Sequence, residues 1–214
     1  MHNWFIFKEF DEAAKAASDF IAHKILLAIK GKDRCNIALP GGSSPKFCFA
    51  HLIKKELPWS KVHWYVGDER CCPKNHPERN DLMLEQTLWS KIAQTNTYPI
   101  PAELGAEEAA KVYREVISEV NFDIIFLGVG EDGHTASLFP ENIALTDTRT
   151  VVPVFNSPKP PAERVSLSVN TLKKSHHRIV LANGKEKSLI VKKIKEGANY
   201  PVNNIGEINW FINE

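Results

Sequence analysis

The chain has 214 residues, 43% hydrophobic and 25% charged, with a formal net charge of +1 from 27 basic and 26 acidic side chains. That length and composition suit one globular domain with a sizeable core, expected here over residues 1–214. The near-zero net charge speaks against a nucleic-acid or membrane-surface protein that works through a whole-molecule field, so an anionic ligand would need cations gathered locally by the fold.

Residues 1–7 are polar and aromatic and carry no secretory apolar run, and nothing approaches the ~20 apolar residues of a membrane span. Residues 11–30 place Ala14, Ala17, Ile21, Ile25 and Ala28 near helical period, with Gly31 as the stop signal. Residues 35–39 form a short buried-strand candidate. Ser44-Pro45 then starts a helix, serine as cap and proline in the first turn, running to about Glu56. Residues 62–66 form a second strand, followed by a polar loop and a helix over about 81–89. Residues 105–120 are helical, and 122–129 form the most strongly apolar strand. Strands are expected at 151–155, 164–168 and 178–182, a helix at 186–195 and a last strand at 207–212. The three prolines within residues 156–161 mark a surface loop. Strands alternating with helices predict an α/β layer fold with a mostly parallel central sheet flanked by helices.

The four cysteines, Cys35, Cys48, Cys71 and Cys72, lack the spacing of a zinc knuckle or redox motif. Free thiols in a reducing, cytoplasmic setting are the simplest expectation. His76, His134, His176 and His177 also lack a recognisable ligand spacing, so no metal and no cofactor is expected.

In parallel α/β sheets, ligands sit beyond the carboxyl ends of strands. Several segments are candidates. Pro40-Gly41-Gly42-Ser43-Ser44-Pro45 joins a strand to a helix start, where glycines admit a ligand to the backbone and free N–H groups favour an anion. A capped tight turn explains the same residues. Gly67-Asp68-Glu69-Arg70 ends another strand, and Arg70 offers a planar fork for phosphate or carboxylate, although a surface ion pair is the alternative. His76, Arg79 and Asn80 extend this polar stretch, Asn80 also fitting a helix cap. Residues 128–140 combine three glycines, Glu131, Asp132 and His134 after the most apolar strand, an arrangement suited to a general base near neutral pH. Arg164 opens a strand, and Lys187 begins a helix, where a cation opposes the helix dipole unless an anion joins it.

In this order, Gly41-Gly42-Ser43, Asp68-Glu69-Arg70, Gly130-Glu131-Asp132-Gly133-His134-Thr135-Ala136-Ser137-Leu138-Phe139-Pro140 and Gly184-Lys185-Glu186-Lys187 resemble the 6-phosphogluconolactonase family, related in fold to glucosamine-6-phosphate isomerases. The third segment is the specific one. The isomerases share its Asp-Gly-His part but continue with a glutamate, whereas residues 136–140 here hold no carboxylate. The resemblance implies a Rossmann-like layered fold with a small additional sheet region. It also implies hydrolysis of a phosphorylated sugar lactone by a monomer or small homo-oligomer. His134 would be the general base, supported by Asp132 or Asp68. Loop N–H groups of residues 130–133 would stabilise the oxyanion. Gly41, Gly42, Ser43, Arg70, Arg164 and Lys187 would hold the phosphate. Arg79 departs from the Ser-Asn common in the family, and Pro40 from a small polar residue. A sugar-phosphate isomerase and a non-catalytic sugar-phosphate-binding protein are the alternatives.

Overall fold

The computed structural model describes residues 2–185 and 187–214. Its centre is a seven-stranded parallel sheet in the order β1 (Asn3–Phe7), β10 (Asn209–Asn213), β9 (His177–Ala182), β6 (Ile124–Leu127), β2 (Cys35–Leu39), β3 (Val62–Val66) and β5 (Asn96–Tyr98). β2 and β6 are buried at every position. Their sequences, apolar apart from Asn36, follow from having both sheet faces covered. The helices are α1 (Phe10–Lys32), α2 (Ser44–Leu52), α3 (Asn80–Thr87), α4 (Ala106–Val116), α5 (Val169–Lys174) and α6 (Ser188–Lys195). A smaller antiparallel sheet, in the order β4 (Asp68–Arg70), β8 (Arg164–Leu167) and β7 (Val151–Val154), lies beyond β3 in the chain. This is the expected α/β architecture, including the added sheet. Among the described residues no helix is long and apolar enough to cross a membrane.

Four elements were not anticipated from the sequence. β1 is an edge strand whose Trp4 and Phe5 stack on Trp210 and Phe211 of β10, each with ring centroids 4.8 Å apart. Only this pairing makes its aromatic residues a strand. β4 is a charged tripeptide that becomes a strand by pairing with β8, Arg70 opposite Arg164. β5 pairs with β3 through three partly buried residues. α5 is a six-residue helix capped by Ser168, which accepts from the Thr171 N–H. Boundaries also move. α1 runs through Gly31 and ends at left-handed Asp33 (φ 61°). α2 stops at Leu52, not Glu56, and its cap is Ser43, with Ser44 already helical. Glu186, the expected start of α6, lies outside the described residues.

Tyr113 of α4 fixes the carboxyl end of β3. Its fully buried hydroxyl accepts from the Val66 N–H and lies 3.1 Å from the carbonyls of Val66 and Tyr98. Gly67 then bridges the two sheets: its N–H donates to Leu39 O and its carbonyl accepts from the Leu167 N–H, both at 2.8 Å. These bonds place Asp68 to Arg70 beside the ends of β2 and β6.

Candidate active site

Loops following β2, β3, β6 and β9, four adjacent strands of the sheet, meet around a cleft of about 270 Å³. Gly41, Gly42, Ser43, Asp68, Arg70, Gly130, Glu131, His134, Arg164 and Lys187 line it, so the segments proposed from the sequence converge. Asp132 reaches the site through His134 instead of lining the cleft.

The loop after β6 is built to hold His134. The Gly130 N–H donates to His134 O at 2.9 Å, and the Gly133 N–H to Gly130 O at 3.0 Å. A side chain at Gly130 would put Cβ 2.1 Å from the His134 ring, so only glycine lets the imidazole fold back here. Thr135 Oγ1 donates to Gly128 O, closing the turn onto the strand end. The His134 ring packs on Phe139, centroids 4.5 Å apart. This wiring narrows one expectation: of the loop N–H groups at residues 130–133, those of Gly130 and Gly133 are engaged within the loop.

His134 Nδ1 lies 2.5 Å from Asp132 Oδ1, which also accepts from the His134 backbone N–H at 3.3 Å. Burial pushes the Asp132 pKa up, but the attraction and hydrogen bonds of His134 outweigh it, and the net shift is downward. An ionised Asp132 can only accept, so His134 Nδ1 donates and Nε2 keeps its lone pair. The His134 pKa is lowered, first by burial and also by the Lys159 charge, against the opposing pull of Asp132 and, more weakly, Asp68. A neutral imidazole at neutral pH results. Asp68 has a different partner: its Oδ2 accepts from Ser137 Oγ at 2.6 Å. Of the two carboxylates left open by the sequence, Asp132 is the one bonded to the histidine.

The other wall of the cleft is cationic. Arg70 and Arg164 occupy paired positions on β4 and β8. Arg70 Nη1 donates to Glu78 O at 2.6 Å, while its buried Nε has no protein partner among the described residues. Arg164 stacks its guanidinium 5.4 Å from the Phe139 ring centre. Its Nη2 donates to Lys159 O and Pro160 O at 3.1 and 2.9 Å, and its Nε to Pro161 O at 3.3 Å. Burial, then the nearby Arg70, lowers the Arg164 pKa. Arg164 therefore organises the 159–161 loop as well as facing the cleft. Lys187 donates to Val129 O at the end of β6 and also lines the cleft. On the opposite side, Gly42, Ser43 and Ser44 present the start of α2, a favourable place for an anion. The close approach of this loop to α3 requires Gly41, where Cβ would fall 1.8 Å from Asn80 Oδ1.

One contributor, Lys159, was missed in the sequence, and two others, Asn80 and Glu69, were named without these contacts. Lys159 lines the cleft from the proline-rich loop, which composition marked only as surface. Asn80 is no cap by its side chain: Nδ2 donates to Asp68 O at 2.6 Å. Glu69, fully buried, accepts from the N–H groups of Arg70, Asn80 and Asp81 at 2.8, 2.8 and 2.9 Å, anchoring α3 to β4. Arg79 is absent from the cleft. Its guanidinium, 2% exposed, binds Cys72 O, Ile100 O, Asp81 and Glu103, a structural tie between loops.

Known proteins share both the sequence and this architecture. The family model described as glucosamine-6-phosphate isomerases/6-phosphogluconolactonase matches residues 8–210. A 6-phosphogluconolactonase of Mycobacterium leprae is 34% identical over 211 residues, 90% of this chain and 85% of that protein. The crystal structure of a 6-phosphogluconolactonase from Thermotoga maritima superposes with a TM-score of 0.91 at 26% identity, covering 100% of both chains. A monomeric glucosamine-6-phosphate deaminase shares the fold alone, at 18% identity and a TM-score of 0.85 over 99% of this chain and 97% of that one. The chain thus belongs to the glucosamine-6-phosphate isomerase/6-phosphogluconolactonase family and, within it, to the 6-phosphogluconolactonases.

Proposed function

We propose that this protein hydrolyses 6-phospho-D-glucono-1,5-lactone to 6-phospho-D-gluconate, the ring-opening step of the oxidative pentose phosphate pathway. The observation that carries the mechanism is the His134–Asp132 pair, with Nδ1 engaged and Nε2 left basic, facing a wall of cations. Nε2 takes a proton from water as its oxygen attacks the lactone carbonyl. The tetrahedral oxyanion collapses, the ring C–O bond breaks, and the His134 imidazolium returns its proton to the departing ring oxygen. The carboxylic acid formed then ionises. Ser137 Oγ donates to Asp68 and not to His134, which favours direct attack by water over an acyl-enzyme. Arg70, Arg164, Lys187, Ser43 and the Gly41-Gly42 backbone bind the phosphate. Asp68, held by Ser137, is the second polar group on the reacting side.

The decisive assay couples glucose-6-phosphate dehydrogenase to detection of 6-phosphogluconate, with spontaneous lactone opening subtracted. Faster formation of 6-phosphogluconate on adding the protein supports the reading. No acceleration, or ammonia release from glucosamine 6-phosphate instead, overturns it.

Substitutions at three positions probe the division of labour. Wild-type kcat/KM should fall on the acid side as His134 protonates, with the limb below the ordinary histidine pKa of about 6.5. Asp132→Asn removes a carboxylate that raises the His134 pKa, so the limb moves to still lower pH. Loss of ring orientation should also lower kcat, by on the order of 10²-fold. A pH profile shifted by Asp68→Asn but not by Asp132→Asn would reverse the assignment. Arg164→Ala frees the 159–161 loop and removes a cation from the cleft. It should raise KM about tenfold or more with a smaller change in kcat if these contacts serve ground and transition states alike. Steady-state kinetics separate the two parameters.

A further inference from the structure

The loop between β4 and α3 carries a second set of reactive side chains outside the cleft. Cys72 Sγ, a His76 ring nitrogen and a Glu78 carboxylate oxygen lie within 4.8 Å of one another. The loop that presents them is tightly constrained. The Cys72 N–H donates to Arg70 O at 2.8 Å, the His76 N–H to Pro73 O at 3.1 Å and the Arg79 N–H to His76 O at 2.9 Å. The Arg79 guanidinium grips Cys72 O from below, and Arg70 Nη1 grips Glu78 O. The Glu78 N–H donates to His76 Nδ1 at 3.3 Å. Searching the histidines for ligand spacing misses this group, because its sulfur comes from Cys72 and its third donor from Glu78.

We propose that Cys72, His76 and Glu78 form a binding site for a borderline divalent cation of the zinc type, clasping the loop that follows Arg70. The donor set decides the class of ion. One sulfur, one imidazole and one carboxylate match zinc, and calcium or magnesium would demand oxygen donors alone. Tetrahedral zinc, with bonds of roughly 2.0–2.3 Å, holds its ligand atoms about 3.5 Å apart, so the donors need to close by little more than ~1 Å. Glu78 is exposed and free to make that adjustment. Three protein ligands leave a fourth position for water. Because Glu78 O also holds Arg70, occupancy of this site bears on the cationic wall of the cleft. The site itself is independent of the proposed lactonase activity.

The test uses metal-free full-length protein titrated with zinc by calorimetry, and with cobalt(II) for its thiolate-to-metal absorption. The wild type should bind one ion and show that absorption band. Loss of groups that merely orient a metal ligand costs about 10–100-fold in affinity, so Cys72→Ser and His76→Ala should each weaken binding by about 100-fold or more. Cys72→Ser should abolish the band, while Cys71→Ser leaves both signals intact. Thermal melts establish that the variants fold, and zinc should raise the melting temperature of wild type but not of Cys72→Ser. Absence of the band in wild type overturns the site. So does binding that survives Cys72→Ser but is lost in Cys71→Ser or His134→Ala.

Discussion

His134→Ala is expected to lower kcat by about 10²-fold or more, because the variant keeps the cationic side chains of the cleft and loses the group that moves both protons in the proposed mechanism. The side chain is held by Asp132 at Nδ1 and by packing on Phe139. Its removal leaves Asp132 bonded to the backbone N–H of residue 134, and the loop bonds of Gly130 and Gly133 are main-chain contacts that the substitution does not touch. The expected signature is therefore a fall in kcat with a folded protein and a KM within a few-fold of wild type. Rates must be corrected for spontaneous lactone opening. An unimpaired variant would sink the mechanism.

Glu69→Ala should produce the largest loss of stability. The carboxylate has no exposure and satisfies three backbone N–H groups where β4 turns into α3. A buried donor left without a partner costs about 1–3 kcal/mol, so a loss of roughly 3 kcal/mol or more is expected. That is a large part of an ordinary domain's stability. Arg79 Nε, 3.9 Å from Glu69 Oε2, would lose one of its counter-charges as well. Denaturant unfolding checks the magnitude. Activity should also suffer, since Glu69 fixes the N–H of Arg70 and the start of α3, from which Asn80 holds Asp68 O.

Glu69 adds a pH signature of its own. Burial pushes its pKa up to about 7, against the downward pull of the three N–H donors. Between about pH 4.5 and 7 the folded chain holds a proton here that the unfolded chain has released, so this group's contribution falls as pH rises through that window. His134 acts oppositely: its lowered pKa makes its contribution rise with pH between its folded value and about 6.5. The two slopes partly offset in wild type. Glu69→Gln cannot titrate, so the stability difference from wild type should shift in favour of the variant as pH increases from 5 to 7. A difference independent of pH would refute the buried, proton-holding carboxyl.

The cleft was legible in the sequence because its loops follow short, largely apolar strands. β2, β3 and β6 need both faces buried, and that need writes itself into residues 35–39, 62–66 and 122–129. Gly41 and Gly130 could be singled out beforehand, though the atoms they make room for, Asn80 Oδ1 and the His134 ring, lie elsewhere until the chain folds. Lys159 gave no such signal. It sits in a proline-rich loop and enters the cleft only because Arg164 draws three successive carbonyls, those of residues 159–161, toward itself.

By itself, then, the sequence determined the alternation of strand and helix, the parallel sheet and the segments that carry His134, Asp68 and Arg70. These are local patterns of hydrophobicity and turn chemistry, written within a few residues of one another. Only the tertiary structure decided that Asp132 bonds His134 while Asp68 bonds Ser137, because the two contacts depend on how the loop after β6 folds back on itself and against β4. It also decided that Arg79 is a tie between loops and that Asp68-Glu69-Arg70 is a strand. Those outcomes rest on pairings such as Asn80 with Glu69, 11 positions apart, and Arg70 with Arg164, 94 positions apart, whose energy appears only when distant segments meet.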